Sequence, residues 1–351
     1  MILLSIKPQN RRLPKRNKII STQGDNAQHR VLPREIPADK LNSKGFIARQ
    51  VKEISAAAGD GLAISALSGG VDSSTVTLLA HKALGDRLKA YFIDNALMRE
   101  GEPQQVVSLF GKLGVHVELV DARDEFLGAL KGITDPEQKR EAVTQTFYRH
   151  IFARLIRQSG AKCLLQGTIL TDVDETVAGI KRQHNVFEQL GIDPQEAFGY
   201  KIIEPLIQLR KDGVRKIAEA LGLPSSIANR MPFPGPALAA RVIGEATPER
   251  LALVRKATAI VESALSRTKA FQYMAILHED RVTGTREGRR DFGFQIEIRC
   301  WESIDARQAT PTHLTWKTLE ALSRSILEGV PGVVSVTYNI APKPPSTMEV
   351  V

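Results

Sequence analysis

The run Leu62-Ala63-Ile64-Ser65-Ala66-Leu67-Ser68-Gly69-Gly70-Val71-Asp72-Ser73-Ser74 constrains this chain more than any other. Its small and β-branched apolar residues predict a buried parallel strand that breaks at Ser68-Gly69-Gly70. Apolar periodicity resumes from Ser73 through Val76, Leu78 and Leu79, as in a helix. A strand, a glycine turn and a helix start make an anion site, because unpaired backbone N–H groups and the positive end of the helix dipole meet at one point. The glycines let a phosphate approach the backbone, and Ser68, Ser73 and Ser74 add hydroxyl donors. Asp72 repels an anion unless a cation stands between them, and Mg²⁺ carried by a nucleotide meets that need. No Gly-Lys-Ser/Thr follows, so this is not a Walker loop.

Length and composition narrow the class. The 351 residues suffice for two domains with their own cores, and 42% hydrophobic with 25% charged residues is ordinary for a soluble protein. No apolar run reaches the roughly 20 residues that span a bilayer. The opening Met1–Ile6 is too short for a signal-peptide core, so the expectation is a cytoplasmic protein with no membrane partner. The two cysteines, Cys163 and Cys300, are far apart in strand-like surroundings, which excludes a disulfide framework and a zinc motif. Residues 1–45 carry ten Lys/Arg against three Asp/Glu and account for +7 of the net charge of +9. The basicity therefore belongs to a tail, expected to be disordered over 1–44, and not to a nucleic-acid-binding face.

Beyond the tail the pattern alternates. A helix is expected from Gly45, strands at Leu88–Asp94, Val115–Val120 and Cys163–Gly167, and helices at about Glu102–Leu113 and Glu137–Gln158. Alternation of this kind predicts right-handed βαβ units and a doubly wound parallel sheet, an α/β fold. Ligands of such sheets bind beyond the carboxyl ends of the strands, here Ser68–Ser74, Asp94-Asn95, Asp121 and Gln166-Gly167-Thr168. Residues 169–200 read as an irregular polar excursion. Its acids Asp172 and Asp174 suit Mg²⁺, and Lys181 and Arg182 suit a phosphate transition state.

After a helix at Asp212–Leu221, the string Arg230-Met231-Pro232-Phe233-Pro234-Gly235-Pro236 excludes helix and central strand. A domain boundary is placed there, giving domains over 45–230 and 231–351. The second is expected to be a smaller α+β unit, with helices at Pro248–Leu265 and Leu314–Leu327 and strands at Tyr273–Leu277, Phe292–Cys300 and Val333–Ile340. Lys343, braced by prolines near the C-terminus, suggests a preorganised anion contact.

The loop at Ser68–Ser74 resembles the pyrophosphate loop of the N-type ATP pyrophosphatases, which cleave ATP between the α- and β-phosphates. Together with Phe92-Ile93-Asp94-Asn95, Gly132–Arg140, Gln166-Gly167-Thr168, Ile180-Lys181, His184-Asn185, Pro232–Pro236, Arg241-Val242, Gly244-Glu245 and Lys343-Pro344-Pro345, it resembles the ATP-pyrophosphatase portion of GMP synthetase over about residues 45–351. That resemblance implies an adenylating domain followed by a dimerisation domain. It also implies the chemistry: the O2 of xanthosine monophosphate (XMP) attacks the α-phosphorus of Mg-ATP, and ammonia then displaces AMP to give GMP.

By the same resemblance, Ser68, Gly69, Gly70, Val71, Asp72, Ser73, Ser74, Gln166, Gly167 and Thr168 hold ATP and pyrophosphate, with Asp72 on Mg²⁺. Asp72, Asp172 and Lys181 act catalytically, the last two from a lid. Arg241, Lys343, Thr347 and Glu349 hold the acceptor nucleotide. The partners implied are XMP, ATP, a second copy of the chain and a separate glutamine amidotransferase, since nothing before residue 45 reads as a glutaminase. The chain departs from the family pattern at Met231 (His in the family), Ala237 (Gly), Gln183 and the terminal Val350-Val351, all on the acceptor side or the lid. A related enzyme that adenylates another purine-like acceptor, or inserts sulfur into a nucleobase, stays open as an alternative.

Overall fold

The computed structural model describes residues 33–177, 200–231, 233–286, 288–304 and 308–350, with the side chains of 175–177 and 286 left aside. Pro33–Val351 forms one unit. Helix α1, Ser43–Ala58, begins where the Asn42 side chain accepts the Gly45 N–H, a cap contributing about 1 kcal/mol. It buries Phe46, Gln50, Ile54 and Ala58, the period of one helix face. Of the stretch 1–44 expected as a tail, residues 33–44 are described, and part of it is tied to the body. Ile36 N–H donates to the Gln208 carbonyl and Lys216 Nζ to the Ala38 carbonyl, which pins the chain around residues 36–38.

The first half is a parallel sheet of β1 (Ala63–Leu67), β2 (Leu88–Asp94), β3 (Val117–Asp121), β4 (Cys163–Leu165) and β5 (Lys201–Ile203). Its order is β3-β2-β1-β4-β5. The central strands are buried on both faces by helices, which explains their continuous apolar runs. The helices of this half are α2 (Val71–Leu84), α3 (Glu102–Lys112), α4 (Arg123–Leu130), α5 (Pro136–Gln145), α6 (Ala153–Ser159), α7 (Leu170–Val177), α8 (Lys211–Ala220) and the short α9 (Ser225–Ala228). Chain direction across the sheet reverses between β1 and β4, so the loops leaving these two strands diverge and open a crevice.

Several expectations are corrected. The helix expected over 137–158 is α5, a π-helical turn at Thr146–Phe152, and α6 in succession. α4 and β5 carried too little periodicity to be read. The irregular excursion at 169–200 opens with α7, and residues 178–199, including Lys181, Arg182, Gln183, His184 and Asn185, lie outside the described residues.

The second half holds α10 (Pro248–Leu265), β6 (Gln272–Arg286), β7 (Arg289–Glu302), β8 (Thr310–Pro311), α11 (Trp316–Gly329) and β9 (Val333–Tyr338). β6, β7 and β8 are antiparallel, and β9 lies parallel to β7. Strand β6 runs nine residues past the expected Leu277. Beyond a register shift between Leu277 and Arg281, ladder bonds to β7 hold a polar stretch with no apolar alternation of its own. The helices α10 and α11 pack on each other and on β6 and β9.

Polar contacts join the two halves. Lys139 Nζ, fully buried, donates to the Val242 carbonyl at 2.6 Å, and burial pushes its pKa down to about 8. Glu245 Oε1 accepts the Gly132 N–H at 2.7 Å, and within the second half Arg250 braces that segment by donating to the carbonyls of Ile243, Glu245 and His278. Arg255 of α10 reaches back to the carbonyls of Ala96 and Met98 at the end of β2. These contacts satisfy backbone carbonyls and, at Gly132, an N–H, and an unpaired buried group of either kind costs roughly 1–3 kcal/mol. One apolar core runs through both halves, and a smaller one gathers Trp301, Ala309 and Met348, with Phe271 packed on it.

Candidate active site

The loop after β1 sits at the mouth of the crevice. Gly70 precedes α2 without any side-chain cap, so the first-turn N–H groups of that helix face outward as donors. Ser73 Oγ accepts the Ser68 N–H at 3.2 Å, lies 3.0 Å from Ser68 Oγ and donates to the Gly70 carbonyl, which folds the loop into a concave turn. Gly69 has φ +74°, and a Cβ there would meet Glu102 Oε1 at 2.6 Å, so this position needs glycine twice over. Gly167, after β4, would place a Cβ 3.2 Å from the backbone at the Asp72–Ser73 junction, so the second loop presses directly on the start of α2.

Two cavities flank the loop. One, about 390 Å³, is lined by Ser68, Gly69, Gly70, Val71 and Asp72 together with Arg99, Lys211, Arg215, Arg230 and Phe233. The other, about 260 Å³, is lined by Ser68, Gly70, Asp72, Ser73, Gln166, Gly167, Thr168 and Asp172. Phe147 and Tyr148, carried on the π-helical turn, line both. Ser74 is the exception among the expected loop donors. It falls on the buried face of α2, is 1% exposed, lines neither cavity, and its N–H is already given to Gly70. Thr168 is held by donation to Glu204 Oε1 at 2.6 Å.

Asp72 is the electrostatic centre. Its Oδ2 accepts from Lys211 Nζ at 2.6 Å, and its Oδ1 is buried without a partner. Burial pushes the carboxyl above its ordinary range, Lys211 opposes this, and Asp172 adds a like charge that raises it further. A buried carboxylate oxygen with no donor, next to a second carboxylate, suits a hard cation. A Mg²⁺ that arrives with its nucleotide takes one or two carboxylates, the number Asp72 and Asp172 offer. Asp172 Oδ2 also accepts the Ile169 N–H at 3.0 Å, which fixes it at the first turn of α7.

Lys211 and Arg215 stand one turn apart on α8; the sequence reading places only Arg215 in a helix, at Asp212–Leu221, and leaves Lys211 outside it. A signal was there: cations in the first turns of a helix oppose its dipole and need an anion nearby. Arg230, Arg99 and Glu102 also escaped notice, since their meeting depends on the fold. Arg230 Nη1 donates to Glu102 Oε1 at 2.5 Å, and Arg99 Nε to both oxygens of Glu262 at 2.7 and 3.0 Å.

The structure brings part of the expected acceptor set together. Arg241 ends a 3₁₀ turn at Ala237–Arg241, is 1% exposed, and has Glu349 Oε2 3.6 Å from its Nε. Its guanidinium lies 4.7 Å from the Phe233 ring centre, with Arg99 at 3.9 Å from the same ring. Gln272, another residue missed in sequence, donates to Glu349 Oε1 at 2.9 Å. Thr347 Oγ1 donates to the Glu349 carbonyl, while Arg299 Nη1 holds the Thr347 carbonyl at 2.6 Å. Lys343 exchanges backbone hydrogen bonds with Ala309. None of Arg241, Lys343, Thr347 and Glu349 lines the larger cavity; Phe233 does, with Arg241 packed on its ring. Met231 lines that cavity as well, and Ala237 takes φ +52°, a left-handed position that favours glycine. Cys163 and Cys300 are both buried, and burial pushes both thiols up, away from the nucleophilic thiolate.

Comparisons with known proteins agree with this architecture. The family model described as "Asparagine synthase" matches residues 56–287, and the one described as "GMP synthase C terminal domain" matches residues 259–350. A glutamine-hydrolyzing GMP synthase subunit from Archaeoglobus fulgidus is 46% identical over 309 residues, covering 88% of this chain and 99% of its own length. Proteins of the same name are 44% identical in Pyrococcus abyssi over 312 residues and 41% identical in Methanopyrus kandleri over 320, each with 88% and 99% coverage. With both halves of the fold accounted for at this identity, the chain belongs to the family of these GMP synthase subunits.

Proposed function

We propose that this chain is a C–N ligase that aminates XMP to GMP at the expense of ATP, releasing AMP and pyrophosphate. The observation that carries the reading is the Ser68–Ser74 loop at the reversal of the sheet, with Lys211 and Arg215 facing its Asp72, in a chain of this family. The outward N–H groups of α2 bind the β- and γ-phosphates. Lys211, Arg215 and Arg230 offset charge as the bond between the α-phosphorus and its bridging oxygen breaks. The XMP O2 forms the new bond to the α-phosphorus, and pyrophosphate leaves with the electron pair. Asp72, with Asp172 beside it, holds Mg²⁺, which supplies neutralisation of the phosphate charge when bound. Ammonia then adds at C2, AMP departs, and the added nitrogen loses a proton. Adenylation is needed because the C2 oxygen leaves poorly until it carries a phosphoryl group.

Arg241, Lys343, Thr347 and Glu349, with Gln272, form the acceptor side, and Lys181, outside the described residues, keeps the catalytic role that the family resemblance implies. The relatives are named as one subunit of a glutamine-hydrolyzing enzyme, which supports ammonia supply from a separate amidotransferase partner. The chain works in the cytoplasm, in keeping with the finding that no described helix is long and apolar enough to cross a membrane. It divides functionally near residue 230 and pairs with a second copy through its C-terminal half. Buried, unreactive cysteines weigh against a sulfur-inserting alternative.

The test is incubation with ATP, Mg²⁺, ammonium and XMP, following pyrophosphate, AMP and GMP. Production of all three supports the reading. AMP without GMP would keep adenylation and reject XMP as the aminated acceptor, and no XMP-dependent pyrophosphate would reject the function.

A further inference from the structure

Glu102 is a buried carboxylate that the chemistry above does not use. It opens α3 and is 2% exposed, with a glycine preceding it in place of a capping side chain. Its Oε1 takes Arg230 Nη1 at 2.5 Å and sits so close to Gly69 that no Cβ fits between them. Its Oε2 accepts the Arg99 N–H at 3.1 Å, but the Arg99 Nη1 stays 3.9 Å away. The carboxylate therefore holds one guanidinium tightly and the other loosely. Arg230 also reaches the Gly69 carbonyl, at 3.5 Å. Arg99 leads away from the loop, paired with Glu262 and lying over Phe233, whose ring also meets Arg241, the partner of Glu349.

We propose that Glu102 is a positioning residue that couples the phosphate loop to the acceptor side by sharing its carboxylate between Arg230 and Arg99. The proposal rests on the functional reading above. A phosphate on the Gly69 loop draws Arg230 toward itself, and the charge Glu102 loses there is recovered by closing on Arg99. Arg99 carries Phe233, and Phe233 carries Arg241. Because a buried ion pair is a poor device for stability alone, its placement between two nucleotide half-sites points to orientation. Linkage requires the effect to be reciprocal, so ATP tightens XMP as much as XMP tightens ATP.

The experiment is calorimetric binding of XMP to the full chain, with and without the non-cleavable analogue α,β-methylene-ATP and Mg²⁺. In the wild type the analogue is expected to tighten XMP by about 5-fold or more, within the usual range of such couplings. Glu102→Gln should bring that ratio close to one, and Glu102→Asp, which keeps the charge, should restore part of it. A ratio in Glu102→Gln equal to the wild-type ratio overturns the proposal, as does a wild type with no coupling. If Glu102→Gln does not fold, Phe233→Leu decides. It leaves no buried charge unpaired, severs Arg99 from Arg241, and should also lower the ratio; a retained ratio overturns the route. A wild type that binds the analogue but never XMP overturns the functional reading instead.

Discussion

Lys211 Nζ donates to Asp72 Oδ2 at 2.6 Å across 139 residues of sequence, joining the first turn of α8 to the first turn of α2. Two helix starts are thus aimed at one point, with a carboxylate and an ammonium between them. The pair is partly exposed, so its contribution to stability is small, and its value lies in the charge it presents to a phosphate. Lys211→Met is expected to lower kcat/KM for ATP by about two orders of magnitude, or ~3 kcal/mol of transition-state stabilisation, with an unfolding temperature near wild type. Pyrophosphate release measures it. Asp72→Asn should abolish turnover at any Mg²⁺ concentration, and activity within tenfold of wild type would contradict the assignment of Asp72.

The acceptor side makes a separate prediction. Lys343 is anchored through its backbone to Ala309 at both its N–H and its carbonyl, which sets where its side chain emerges. Lys343→Ala should raise the KM for XMP at least tenfold and leave the KM for ATP within about twofold. Unchanged affinity for XMP would remove Lys343 from the acceptor site.

Acid stability depends on Glu297. Burial alone would raise its carboxyl, but hydrogen bonds from His278, Arg299 and Asn339 hold it down at about 2. A carboxyl whose folded pKa lies below its ordinary 4.5 contributes stability that is complete above pH 4.5 and is lost as the pH falls toward 2. Comparing denaturant unfolding of wild type and Glu297→Gln, the wild-type advantage should reach up to about 3 kcal/mol near neutrality and shrink steadily below pH 4.5. Because Arg299 also carries the Thr347 carbonyl, the variant should weaken XMP binding at neutral pH as well.

Ala96 occupies the left-handed region at φ +62°, where a Cβ costs roughly 1–2 kcal/mol. Its N–H donates to Asp94 Oδ1 and its carbonyl accepts from Arg255, so the loop cannot relax away from that conformation. Ala96→Gly should stabilise the protein by about 1 kcal/mol in thermal unfolding. A fall in the unfolding temperature would show that the methyl group's packing outweighs its strain.

Much of the fold is local in origin and could be read directly. The segment Leu62–Ser74 carries its own strand, turn and helix signals, and β1, the loop and α2 stand where those signals put them. Helix α10 spans Pro248–Leu265, the bounds its sequence implies, and the Thr247 side chain caps it by accepting the Arg250 N–H. Alternating periodicity was enough for the parallel sheet, because a strand buried on both faces must be apolar throughout. Three-residue β5 and the polar half of β6 gave no such signal, since hydrogen bonds to a neighbour hold them and not any pattern of their own.

The sequence by itself determined the anion loop, the chemistry of its residue types and the order of the elements, because each depends on neighbours within a few positions. Only the tertiary structure decided which distant cations serve that loop. Lys211 and Arg215 share α8, while Arg230 and Arg99 lie in two other segments, and nothing local to any of the three encodes their meeting with the loop. They converge because the reversal of the sheet between β1 and β4 opens one crevice, and because a buried carboxylate such as Glu102 must be met by whichever guanidinium groups the fold brings within reach.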